Sequence, residues 1–127
     1  MVKSIALSLL VMTMVGCVSI DSAESLAAEG KWQAIGESDG VRGLPSRSLS
    51  DLAELAQKAG VASANVGNYE SGYMSGVDKY CDVNNAYDIG LSGFRYLGVC
   101  ANAPDGLRFQ MEYQRGFEDF QSADQTF

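Results

Sequence analysis

The chain repeats an aromatic residue followed by glycines at helical spacing, and this pattern limits its fold more than any other feature. Trp32 leads to Gly36, Gly40 and Gly43; Tyr69 leads to Gly72 and Gly76; Tyr87 leads to Gly90 and Gly93; Tyr113 leads to Gly116. A glycine inside a helix costs about 1 kcal/mol relative to alanine. A small domain that keeps several must offset the loss, and close approach does so: a helix face without Cβ atoms lets another backbone or a flat ring lie against it. A second reading has the glycines open a groove lined by Tyr69, Tyr73, Tyr87 and Tyr96, shaped for a glycan or a peptide. Trp32, Asp39 and Arg95 belong to the same set of groove or packing residues. The spacings are too irregular for a solenoid.

The periodicity predicts a mainly α fold, a small bundle of four to five short helices with one disulfide-closed, glycine-rich segment. A first helix is expected from Leu26 to Val41, broken by Gly43, Pro45 and Ser46. Ser48 and Asp51 resemble a capping box that opens a second helix at Leu49, with an apolar face of Leu49, Leu52, Ala53, Ala56 and Ala59 and a stop at Gly60. Asn65 is placed to cap a third helix over Val66 to Tyr80. Its stripe of Tyr69, Gly72, Tyr73, Gly76, Val77 and Tyr80 has helical spacing, not strand alternation. Asn84 or Asn85 would cap a fourth helix to about Ser92. Asp105 would cap a fifth to about Gln121, facing the core with Phe109, Tyr113, Gly116, Phe117 and Phe120. Arg108–Glu112 and Arg115–Asp119 read as i,i+4 pairs on its solvated side.

The N-terminus carries the most specific motif. Lys3 is followed by an apolar run, Ile5 to Val15, interrupted only by Ser8 and Thr13. A helix needs about 20 apolar residues to cross a bilayer, so the run suits the apolar core of a secretory signal. It ends at Met14-Val15-Gly16-Cys17, which resembles the lipobox of bacterial lipoproteins, with Met14 where that motif most often has leucine. The resemblance implies cleavage before Cys17 and a diacylglycerol on its sulfur. The alternative is an ordinary signal cut after Ala23 or Ala28. Val18, where an aspartate would imply retention at the inner membrane, implies the periplasmic face of the outer membrane. The expected organisation is a signal peptide over 1–16, a lipidated cysteine and tether over 17–30, a helical domain over 31–121 and a polar tail over 122–127.

With Cys17 acylated, Cys81 and Cys100 remain as an even pair in an oxidising compartment, and the expected arrangement is one disulfide. It would close a loop of 20 residues, contributing about 3 kcal/mol in the loop-entropy picture. A helix running from Asn84 to Leu97 would be about 20 Å long and would hold the cysteines apart. The fourth helix is therefore expected to end near Gly93 with Phe94–Val99 returning as an extended segment; a hairpin turning at Gly90–Gly93 is the alternative.

Two longer segments carry a family resemblance. Tyr69-Glu-Ser-Gly72 through Tyr80-Cys81, then Tyr87-Asp-Ile-Gly90-Leu-Ser-Gly93-Phe-Arg-Tyr96-Leu-Gly98-Val-Cys100, resemble a family of short proteobacterial lipoproteins catalogued as a domain of unknown function. Trp32, Gly36, Asp39-Gly40 and Gly43 resemble its N-terminal motif, and Tyr113-Gln-Arg-Gly116 its C-terminal one. The resemblance spans about residues 30–117. It implies a periplasmic lipoprotein and no particular activity.

Composition narrows the function classes. The chain has 127 residues, no histidine and a net charge of −7. Clustered lysine and arginine, the basis of phosphate binding, are lacking, so nucleic acid is not an expected partner. Without histidine the usual base at neutral pH is absent, and a zinc site would need an unusual ligand set. No metal, cofactor or catalytic residue is assigned. What remains is carboxylate chemistry of the glycan-hydrolase kind, with Asp39, Glu70 and Asp88 as candidates and Arg95 to orient them. Asp39, two turns from Trp32, would more simply accept hydrogen bonds from Arg95 or a tyrosine hydroxyl within the packing. The leading expectation is a lipid-anchored envelope protein that binds or scaffolds a partner, either another envelope protein or peptidoglycan. The alternative is a carboxylate-dependent glycan hydrolase.

Overall fold

A computed structural model describes residues 22–125. The segment expected to be a signal peptide, and Cys17, lie outside the described residues. Six helices follow in order: α1 (Ala23–Ala28), α2 (Trp32–Val41), α3 (Leu49–Ala59), α4 (Val66–Tyr80), α5 (Val83–Leu91) and α6 (Gly106–Asp124). No strand occurs among the described residues.

Local chemistry explains most of the boundaries. The Ser48 side chain accepts from the Asp51 amide and the Asp51 carboxylate accepts from the Ser48 amide, so α3 opens on a complete capping box. Asn65 caps α4. The cap of α5 is Asp82, two residues before the expected Asn84 and three before Asn85, because the Asp82 carboxylate reaches the Asn84 amide at 2.9 Å. α6 runs three residues past the expected Gln121, and Asp105 precedes it without a side-chain cap. The single helix expected over Leu26–Val41 is two helices. Gly30 adopts a left-handed φ of +74°, which turns the chain and lets the Lys31 amide donate back to the Leu26 carbonyl. Part of the segment read as tether is thus α1, with Ala27 buried in the core.

The helices associate as two pairs. α2 lies against α4, and α5 against α6, with α1 and α3 covering the first pair. The first core gathers Ala27, Trp32, Ile35, Leu52, Leu55, Ala56 and Tyr69. Leu55 takes the place expected for Leu49, which points outward. The second core gathers Cys81, Ala86, Cys100 and Phe109, with Tyr80, Tyr96 and Tyr113 around it. Tyr80, at the end of α4, packs into this second core, its ring 5.5 Å from that of Phe109. Cys81 and Cys100 form the expected disulfide, with Cα atoms 5.5 Å apart. α5 ends at Leu91, and the chain returns to Cys100 through residues 94–97 without regular structure.

Both pairs are glued by glycines, and by the same contacts. A Cβ placed on Gly40 would come within 3.0 Å of the Tyr73 carbonyl and the Val77 amide; one on Gly90 would meet the Tyr113 carbonyl and the Phe117 amide. Across each seam, Gly76 faces Glu37 and Val41, and Gly116 faces Tyr87 and Leu91. Gly43 lies under the Tyr80 ring and Gly93 under the Phe120 ring, both at positive φ. The Tyr73 hydroxyl donates to the Leu44 carbonyl at 2.8 Å, and the Tyr113 hydroxyl to the Phe94 carbonyl at 2.7 Å. Gly40 and Gly43 recur 50 residues on as Gly90 and Gly93, and Tyr73, Gly76 and Tyr80 recur 40 residues on as Tyr113, Gly116 and Phe120, while Gly36 and Gly72 have Ala86 and Glu112 in their place. The described residues thus hold two copies of one glycine-seamed helix pair. The first copy carries α3 in its connection and the second carries the disulfide loop.

Candidate functional site

The repeated turns flank a concavity. After each left-handed glycine the chain leaves its helix in an extended run, and the tyrosine hydroxyl of the facing helix holds the next carbonyl. This fixes Leu44 in the first copy and Phe94 in the second. Between them opens a groove of about 770 Å³, within the roughly 300–1,000 Å³ of small-ligand sites. One wall is Val41, Arg42 and Leu44, with Lys79 and Tyr80 from the end of α4; the other is Asn85, Asp88 and Ile89 of α5 and its C-cap Ser92, followed by Phe94, Arg95 and Leu97. Phe94 is 73% exposed and Leu97 46%.

Charge divides unevenly across this groove. Arg42, Lys79 and Arg95 line it against the single carboxylate of Asp88, in a chain whose net charge is −7. Lys79 pairs with Glu37, and Arg42 with Asp39 at 3.1 Å. Arg95 meets no carboxylate among the described residues. Tyr80 forms part of the floor; burial pushes its hydroxyl above the ordinary range, and the neighbouring Tyr113 and Tyr96 add to the effect.

The tyrosine-lined groove read from the sequence does not form. Trp32 and Tyr69 are buried in the first core. Tyr73 stacks beside Tyr69, their centroids 6.1 Å apart. Tyr96 belongs to the second core, where its hydroxyl accepts from the Cys100 amide. Tyr87 lies on the α6 side, donating to Asp119 at 2.7 Å under the Arg115 guanidinium. That contact occupies Asp119, so Arg115 pairs with Glu112 instead, and the i,i+4 pairs expected on α6 are not those formed. The physical reason is the seam: with glycine backbones touching, the flanking rings are drawn into the packing. Of the residues proposed for a groove, only Arg95 lines the one present.

Asp39 is 2% exposed and fully partnered. It accepts from the Tyr69 hydroxyl at 2.8 Å and the Arg47 guanidinium at 2.7 Å, as well as from Arg42. Of the two partners expected from the sequence, a tyrosine hydroxyl is the one formed, and Arg95 lines the groove instead. Arg47 also gives its amide to the Tyr69 hydroxyl at 3.0 Å, tying the α2–α3 connection down. Asp39 and its hydrogen bonds raise the Arg47 guanidinium further above its usual range. Burial, with help from Asp39, raises Tyr69 to about 12. In the second copy the positions of Asp39 and Tyr69 are held by Ile89 and Phe109, so the helix pair forms with or without this polar cluster. Arg47 was missed in the sequence because it sits in an aperiodic stretch, where spacing gives no hint of a partner.

The three carboxylates considered for catalysis are not gathered together. Asp39 is sealed in its cluster, Glu70 lies on the exposed side of α4, and Asp88 alone lines the groove. Among the described residues no group of three or more His, Cys, Asp or Glu is placed to hold a metal ion. No helix among them is long and apolar enough to cross a membrane.

Comparison with known proteins adds one relationship. No curated protein and no solved structure matches the chain. Residues 31–118, which run from the start of α2 through the second glycine seam, match the family described as "Protein of unknown function (DUF2799)". The first helix pair, the disulfide, the groove and the second pair up to Glu118 of α6 fall within that stretch, and the chain belongs to the DUF2799 family.

Proposed function

We propose that this protein is a lipid-anchored envelope protein, held at the periplasmic face of the outer membrane by an acylated Cys17, and that it acts by binding rather than by catalysing a reaction. The observation that carries the binding reading is the groove. It is apolar and cation-rimmed on an acidic chain, and its walls are held open by the Tyr73 and Tyr113 hydroxyls, so little ordering has to be supplied on binding. The anchor is supported by the apolar run from Ile5 to Val15, by Gly16-Cys17 and by the even cysteine pair left behind. Val18 supports the outer membrane. A partner with an apolar, anionic face suits the groove better than a glycan does. For a carboxylate-dependent hydrolase, a second carboxylate should stand about 5–9.5 Å from Asp88 across the groove, and Asp88 is the only acidic residue of its lining.

Two measurements test the reading. Metabolic labelling with a clickable fatty acid should mark the wild-type chain and not Cys17→Ser, which should leave the membrane fraction. Continued labelling and retention would end the anchor. A photo-crosslinking residue at Leu97 in cells should give a discrete product that one at exposed Leu107 does not. Equal patterns at both positions would remove the groove from the function.

A further inference from the structure

The geometry points to a free long-chain fatty acid as the groove's ligand, its acyl chain lying along Leu44, Ile89, Phe94 and Leu97 and its carboxylate meeting Arg95. This inference rests on the binding reading above and names the chemistry of the occupant.

Two observations narrow the choice. The first is what the walls can satisfy. They are one face of α5, helix ends and extended turns, and no strand edge exists among the described residues. An extended peptide laid here would find no edge to pair with, and its amides would lose water without gaining partners. An acyl chain has no such groups, and taking its methylenes out of water is favourable. The second is charge. A groove holding Arg42, Lys79 and Arg95 against Asp88 favours an anionic head. Arg42 and Lys79 already hold Asp39 and Glu37. Arg95 pairs with no described carboxylate and stands next to Phe94. A guanidinium beside an exposed ring offers one carboxylate a bidentate, charge-assisted contact at the mouth of an apolar channel. The second copy makes Arg95 possible: in the first copy the equivalent of Phe94-Arg95 is Leu44-Pro45, which has no cation at this position.

The test uses the full-length chain in isolated membranes and a photoreactive, alkyne-tagged palmitate analogue. Covalent labelling, mapped by peptide mass spectrometry, should fall on residues 83–97 and not on exposed Leu107 or Met74. Excess myristate should displace it; tetradecyltrimethylammonium, of the same chain length and opposite charge, should not. Phe94→Asp and Arg95→Glu, both at exposed positions, should each lower labelling about tenfold, equivalent to about 1.4 kcal/mol, while circular dichroism and the disulfide remain unchanged. Labelling spread evenly over exposed apolar residues, unaltered in both variants, or displaced equally by the cation would overturn the inference. So would a chain-to-chain crosslink at Leu97 that Phe94→Asp abolishes, which would assign the groove to a second copy. Membrane retention with a discrete protein crosslink at Leu97 and no fatty-acid labelling would overturn the ligand and leave the anchored binding function standing.

Discussion

Gly40 and Gly76 face each other across the seam between α2 and α4: a Cβ on either would lie 2.9 Å from the backbone of the other. The contact is reciprocal, so neither helix can acquire a side chain there without moving its partner. The atoms in the way are backbone, which cannot rotate aside as a side chain would.

The glycine seam should therefore be intolerant of even one methyl group. Gly72→Ala, whose Cβ would enter the Gln33 carbonyl, should destabilise the domain by about 1–3 kcal/mol, the usual range for overpacking. Gly67→Ala, in the same helix, has only the Asn65 side chain within reach, at 3.8 Å, and should stabilise by about 0.4–1 kcal/mol. Denaturant melts of the two single variants check the contrast. A near-neutral Gly72→Ala would mean the helices are not in backbone contact.

The Asp39 cluster should behave as a unit. Tyr69→Phe removes the hydroxyl that donates to Asp39 and accepts from the Arg47 amide, and should cost about 1–3 kcal/mol, the penalty of stranding buried polar groups. Asp39→Ile alone should cost more, since it leaves that hydroxyl and both arginines without their shared acceptor. Combining the two reproduces the Ile89–Phe109 arrangement of the second copy. The double variant should lose less than the sum of its parts, and strict additivity in a double-mutant cycle would refute the coupling.

Reduction should act on one half of the molecule. Cys100 is completely buried and Cys81 nearly so, so thiol titration of the native protein should find neither free. Cys81→Ala with Cys100→Ala should cost about 2–5 kcal/mol. Hydrogen exchange should accelerate first in α5 and α6, which the bridged segment joins, while α2 and α4 stay protected. Uniform acceleration would show that the two pairs open together.

Alkaline pH should unfold the protein through its tyrosines. Burial raises Tyr69 to about 12, and raises Tyr73 and Tyr80 as well, above the usual value near 10. The folded state therefore holds these protons more tightly than the unfolded chain does. That contribution to stability is complete below pH 10 and is lost as pH climbs from 10 through the raised values. Denaturant midpoints should be flat up to about pH 9 and fall above pH 10. Tyr69→Phe should flatten part of the fall.

Much of the helical layout was legible because it is written in short-range chemistry. Ser48–Asp51, Asn65 and Gly60 fix the bounds of α3 and α4 within a single turn of their own sequence. The break at Gly30 was not, because a glycine between two helical patterns reads equally as an interior residue or as a stop; the Lys31–Leu26 hydrogen bond decides it. That glycines meet glycines was foreseeable from the cost of keeping them, but not which helix meets which. The pairing of α2 with α4, past the intervening α3, depends on Trp32, Leu52 and Leu55 sharing one core. The groove was invisible for a related reason: Leu44 and Phe94 sit in turns with no periodicity, 50 residues apart, and only the matching hydroxyl contacts of Tyr73 and Tyr113 bring them opposite each other. Tyr73, left open in the sequence to packing or to a groove, and Tyr113 are the fasteners of the two helix pairs.

The glycine seams invert the ordinary relation between side-chain size and mutational tolerance. In most small domains the largest buried residues are the least replaceable. Here the positions with no side chain at all (Gly36, Gly40, Gly72, Gly76, Gly90 and Gly116) should be the most sharply constrained in a saturation scan, accepting at most one residue each. Large residues such as Met74, Leu107 and Met111 should accept nearly any substitution. A variant-effect map of this chain would outline its architecture by its blanks, as two ladders of invariant glycine with the groove between them.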